Sequence, residues 1–141
     1  AGISRMTYYR NYQSIDDVLL SHLANLLDDY RRDVEKWLDK GSYNDYRNML
    51  HCYEYFSNHA DFIRCLLKCN MGSVLLQRLT DYIVNTYYTE EKGIAYYYTL
   101  QAFAGSLYNI YIAWILKGTK ESADEMATLI CGLYPHIPAQ S

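Results

Sequence analysis

Residues 94–116 read IAYYYTLQAFAGSLYNIYIAWIL, 23 consecutive positions without a charge. At about 1.5 Å of rise per residue, a helix of that length would span a bilayer. Its polar groups argue against that use. Five tyrosines, with Thr99, Gln101, Ser106 and Asn109, run through the middle of the stretch, whereas aromatic belts belong at membrane interfaces. No other segment is apolar enough to join it. The stretch therefore predicts a helix buried on two sides, one face in its own domain and the other against a second subunit.

Working outward, helix signals recur along the whole chain and strand signals do not occur. Ser14 and Asp17, Ser42 and Asp45, and Ser122 and Glu125 each place a capping hydroxyl three residues before an acid. Asn58 and Asp61 repeat the spacing, and Thr89 precedes Glu90 and Glu91. Such an oxygen accepts an orphan N–H, and the acid sits well at the positive end of the helix. Gly41 and Gly118 suit the left-handed position after a helix, and Pro135 blocks continuation beyond Tyr134. These signals predict helices near 4–11, 15–39, 43–56, 59–69, 73–87, 91–117 and 122–134. In the long one, Val18, Leu19, His22, Leu23, Leu26 and Tyr30 form an apolar stripe, with Asp28, Asp29, Arg31 and Arg32 on the wet side. The expected fold class is all-α.

Composition narrows the function. The 141 residues carry a net charge of −3, so the chain as a whole does not attract nucleic acid, and any DNA contact needs a local patch. Half the residues are hydrophobic and only two are proline, which excludes disorder and suits a single domain. Four cysteines without a disulfide-dense pattern, and no signal peptide, imply reduced thiols and a cytoplasmic location. Cys65 and Cys69, one turn apart, make half of a zinc site, but no C-x2-C pair accompanies them, so no metal is expected. No G-x-S-x-G, phosphate loop or purposeful acid pair is present; His22, His51 and His59 are expected at the core edge or in solvent. We expect no enzyme and no cofactor.

The N-terminal segment carries the most specific pattern. Ala1-Gly2-Ile3-Ser4-Arg5-Met6-Thr7-Tyr8-Tyr9-Arg10-Asn11-Tyr12, then Gln13-Ser14-Ile15-Asp16-Asp17-Val18-Leu19, resembles the second half of a TetR-family helix-turn-helix. The family pattern is roughly A-G-V-S-x-x-T-hydrophobic-Y-x-x-F, followed by a short loop and a long helix. Gly2 allows the tight turn, Ser4 caps the recognition helix, and Arg5 and Arg10 make the segment basic with no acid. The resemblance implies that Thr7 and Tyr9 touch phosphates and that Arg5, Tyr8 and Asn11 lie near base edges. At Ile15 the family usually has a phosphate-gripping lysine, and this chain departs from it.

The two helices that precede a recognition helix in that family are not in this chain, which opens on Ala1-Gly2. The resemblance thus implies a regulator truncated at its start. Residues 1–13 would be a remnant of the DNA-binding domain, and 14–141 a ligand-binding and dimerisation domain of about six helices. The runs 104–108, 114–118 and 121–127 are similar to the dihydroxyacetone-kinase-regulator branch.

In such a domain the effector lies among the middle helices. Tyr46, Met49, Leu50 and Tyr53 fall on one helical face, and Phe62, Leu66, Tyr82 and Phe103 could close a cavity around a small apolar or aromatic molecule. The resemblance also implies a homodimer built by the last two helices. Gly105 would allow close approach, Tyr111 or Trp114 would anchor, and Met126, Leu129, Ile130 and Leu133 would offer a partner face. The expected partners are a second copy, duplex DNA for the full-length protein and an unknown effector, with no membrane. The alternative is a stand-alone α-helical module that dimerises or binds a small molecule and has no DNA role.

Overall fold

The computed structural model describes the backbone of residues 5–135 and the side chains of residues 15–135. Ser4 lies outside the described residues, as do the side chains of Arg5, Thr7, Tyr8, Tyr9 and Asn11. Six α-helices follow one another: α1 (Arg5–Glu35), α2 (Tyr46–Ser57), α3 (Ala60–Lys68), α4 (Gly72–Tyr87), α5 (Ile94–Leu116) and α6 (Ala123–Leu133). A 3-10 turn over Glu90–Lys92 precedes α5. No strand occurs among the described residues. The chain divides into two units, 1–40 and 41–141.

In the first unit, α1 is continuous where the sequence predicts a break after residue 11 and a cap at Ser14. Nothing between Tyr12 and Ile15 stops a helix, because neither glycine nor proline stands there. The helix also closes earlier than 39, where the Trp37 N–H tightens onto Val34 O at 3.1 Å. The apolar stripe is shifted as well. Val18 is 64% exposed and His22 faces solvent, while the buried positions among the described side chains are Leu23, Leu26, Tyr30 and Val34. Arg31 pairs with Asp28 and Glu35, and Arg32 with Asp29, all on the exposed side. Such surface pairs contribute little to stability.

The second unit opens on a turn. Gly41 sits at φ +66°, and a Cβ there would run into the Asp45 carboxylate. That carboxylate accepts the Ser42 N–H at 2.9 Å, and the Asn48 amide donates to Ser42 O at 2.7 Å. The acid, not the serine hydroxyl, closes the turn, which is why α2 starts at Tyr46 rather than 43. Of the expected serine caps, Ser122 acts as one, its hydroxyl accepting from the Glu125 N–H at 3.1 Å.

Two helix ends close alike. After α5, the Thr119 N–H reaches Trp114 O and the Gly118 N–H reaches Ile115 O, with Gly118 at φ +89°. After α3, Met71 and Asn70 donate to Leu66 O and Leu67 O, with Asn70 at φ +59°. Both are Schellman closures, one built on glycine and the other on asparagine. Gly93, at φ +86°, separates the 3-10 turn from α5, so the expected helix over 91–117 begins only at Ile94. Lys92 secures that turn by donating to Tyr87 O at 3.0 Å, its ammonium 4.8 Å over the Tyr96 ring.

Within this unit α2 packs on α6 and α4 packs on α5. The buried positions of α5 are Leu100, Phe103, Ala104, Leu107, Tyr111, Trp114 and Ile115, one stripe at spacings of three and four. The approach of α4 to α5 leaves no room at Gly72. A Cβ there would lie 2.6 Å from Tyr108 Oη and 3.2 Å from Leu67 Cδ2. Gly72→Ala is therefore expected to cost about 1–2 kcal/mol, although alanine is the better helix former. Tyr108→Phe in the same chain should recover most of the loss, because the ring carbon behind the hydroxyl is 3.9 Å away. Thermal unfolding of the two single variants and the double variant measures this, and strictly additive effects would refute it.

Candidate functional site

Of the eight residues expected around an effector, Tyr53 and Phe103 sit in two separate aromatic clusters. Tyr53, from α2, is fully buried and meets Trp114 edge-on at 5.4 Å and Tyr111 at 6.5 Å. Phe103, from α5, is 1% exposed and meets Tyr43 at 4.8 Å and Tyr134 at 5.1 Å. Met49 and Leu66 are also buried, while Leu50, Phe62 and Tyr82 are half-buried. Tyr46 is exposed, and its hydroxyl donates to the Asp124 carboxylate at the start of α6. It ties α2 to α6.

The polar groups of the two clusters differ. The Tyr111 hydroxyl donates to Phe56 O at 2.7 Å, near the C-terminal end of α2. Ser106 Oγ and Tyr134 Oη share a hydrogen bond of 2.6 Å, and the Asn44 amide donates to Tyr134 O at 2.8 Å. The Tyr53 hydroxyl, by contrast, is buried with no hydrogen-bond partner among the described residues. An orphaned buried hydroxyl costs about 1–3 kcal/mol.

Burial pushes the phenols of both Tyr53 and Tyr111 well above the ordinary tyrosine range. Both remain protonated in the folded state where the unfolded chain already releases protons. Stability that is fully present below about pH 10 should then fall as the pH rises above it, by about 1.4 kcal/mol per pH unit for each phenol. Denaturant unfolding between pH 8 and 11 tests this; the Tyr53→Phe variant should show a shallower fall than wild type.

The residues expected at a subunit contact divide in a similar way. Tyr111, Trp114, Met126 and Ile130 are buried in the chain's own core, the last fully so. The Trp114 indole donates to Glu121 O at 3.1 Å. Leu129 and Leu133 are 50% and 57% exposed, and a Cβ at Gly105 would meet nothing within 4 Å. Leu116 and Tyr98 are also exposed. Along the seam of α5 and α6 lies a groove of about 260 Å³, lined by Ile110, Ala113, Trp114, Met126 and Leu129, with Lys117 and Glu121 at its rim. The outward surface of α5 is thus uncharged, with Ala95, Ala102 and Ala113 between larger residues, beside aliphatic side chains of α6.

Among the described residues no group of three or more histidine, cysteine or acidic side chains is placed to hold a metal ion. No helix among them is long and apolar enough to cross a membrane.

An all-helical fold with an uncharged outer α5 face is compatible with many binding proteins, and the comparison with known families narrows the choice. The family model described as a transcriptional regulator C-terminal region, of the TetR type, matches residues 43–135. That span runs from the turn before α2 to the end of α6 and is about two thirds of the chain. The chain belongs to the TetR-type transcriptional regulators. No curated protein and no solved structure matches it.

Proposed function

We propose that this chain is the effector-sensing and dimerising part of a DNA-binding regulator that acts in the cytoplasm and works by binding rather than catalysis. The observation that carries the reading is the family match over 43–135, preceded by the basic segment 1–13 with its A-G-I-S-R-M-T-Y-Y pattern. In this reading 1–13 belongs to a helix-turn-helix and 14–141 to the regulatory domain. Ser4, Arg5, Thr7, Tyr8, Tyr9 and Asn11 are its DNA contacts.

Two further parts follow. The effector is small and mostly apolar or aromatic, and Tyr53 supports this, since its hydroxyl waits in an apolar setting for a group to satisfy it. The homodimer forms through the outer face of α5 and α6, with Gly105, Leu129 and Leu133 at its centre. Tyr111, Trp114, Met126 and Ile130 support that face from beneath.

The test is a mobility-shift titration of the protein carrying, ahead of Gly2, the two helices that complete the helix-turn-helix. It should select a near-palindrome with half-sites about one helical turn, or a multiple of it, apart. Tyr9→Phe should weaken binding to all duplexes, whereas Asn11→Ala should relax base preference. Retention of every duplex with equal affinity would overturn the reading.

A further inference from the structure

The last turn of α3 carries two thiols on one face. Cys65 and Cys69 are both reduced and both exposed, which is unusual for a residue type that is mostly buried. The Cys69 N–H donates to Cys65 O at 3.1 Å, so the backbone between them is a regular helical turn. Residues so related have Cβ atoms about 5–6 Å apart. A disulfide needs roughly 3.5–4.5 Å, so direct S–S closure would have to unwind the turn. An ion bonded to each sulfur at roughly 2.3 Å spans the gap without that change.

We propose that Cys65 and Cys69 form a surface dithiol site for a two-coordinate, thiophilic cation, with copper(I) as its representative. Thiolates select soft cations over magnesium and calcium, which take oxygen ligands. Structural zinc takes four ligands, and no third ligating side chain joins this pair among the described residues. An ion satisfied by two sulfurs is what remains. On binding, both thiols lose their protons to solvent, two S–Cu bonds form, and the oxidation state of copper is unchanged. The bis-thiolate complex carries a net charge of −1. Arg64, which Asp61 already holds at 2.9 Å, and Lys68 stand next to the two cysteines in sequence and offset that charge.

The position gives the site a structural consequence. Cys69 is the residue on which α3 ends, followed by Asn70 at φ +59°, buried Met71 and the tight contact of Gly72 with α5. A bridge between the two thiols clamps this turn, so binding should raise the melting temperature by mass action.

Anaerobic competition with a chromophoric copper(I) chelator provides the test. The wild-type chain should withdraw one copper(I) per chain. Cys65→Ser and Cys69→Ser should each weaken that withdrawal at least tenfold while circular dichroism shows an unchanged helical fold. Cys52→Ser and Cys131→Ser, at half-buried positions, should retain it. No withdrawal by the wild type would overturn the proposal. So would full withdrawal by Cys65→Ser or Cys69→Ser, or an equal loss in the other two variants.

Discussion

Tyr53→Ala should cost about 3–5 kcal/mol, a large part of the 5–15 kcal/mol that holds a typical domain folded. The ring is fully buried between Trp114 and Tyr111, so its removal leaves a void that packed neighbours fill only in part. Tyr53→Phe should behave in the opposite sense. It keeps the ring contacts and removes a hydroxyl that has no partner among the described residues, so stability should be unchanged or higher by up to about 1 kcal/mol. Equilibrium unfolding in denaturant reads both variants. If Tyr53→Phe loses 1 kcal/mol or more, the hydroxyl has a partner in solution and the core is organised differently. The same variant tests the effector reading. A small apolar ligand with a polar group should stabilise the wild type more than Tyr53→Phe, and equal shifts would remove Tyr53 from the ligand site.

Leu129→Glu should convert a dimer into a monomer with little loss of fold. Leu129 is 50% exposed on its own chain, so a carboxylate there stays hydrated in the monomer. At the centre of a two-fold interface burying roughly 1,500–2,500 Å² in total, the same carboxylate would be desolvated without a partner. It would also lie across the groove that Glu121 borders. Light scattering with parallel circular dichroism separates the two effects. Ile130→Glu cannot do so, because Ile130 is fully buried within one chain and its charge would unfold either state. A wild-type chain that scatters as a monomer at micromolar concentration would refute the interface.

Local chemistry was legible where one residue type has one physical use. Gly118 ends α5 in the left-handed region, Ser122 caps α6, and the uncharged run 94–116 coincides with α5. Asn70 was missed because asparagine serves many roles, and only its φ of +59° distinguishes a helix stop from a surface polar group. The break expected near residue 12 rested on the Ser14 and Asp17 capping spacing, with no helix-breaking residue beside it, and α1 runs through it.

By itself, the sequence determined the all-helical class, most of the helix ends and the basic, TetR-like character of its first residues. Periodicity and capping act within a turn or two of the chain, and that information is local. Tertiary structure decided which faces stay open. Every side of α5 is equally apolar in composition, so no pattern in it separates the inner stripe of Phe103, Tyr111 and Trp114 from the outer surface at Tyr98, Gly105 and Leu116. Packing of α4 on α5 and of α2 on α6 makes that choice. It places Ile130 inside and Leu129 outside, one residue apart on the same helix, because burial depends on what lies across from a side chain and not on the side chain alone.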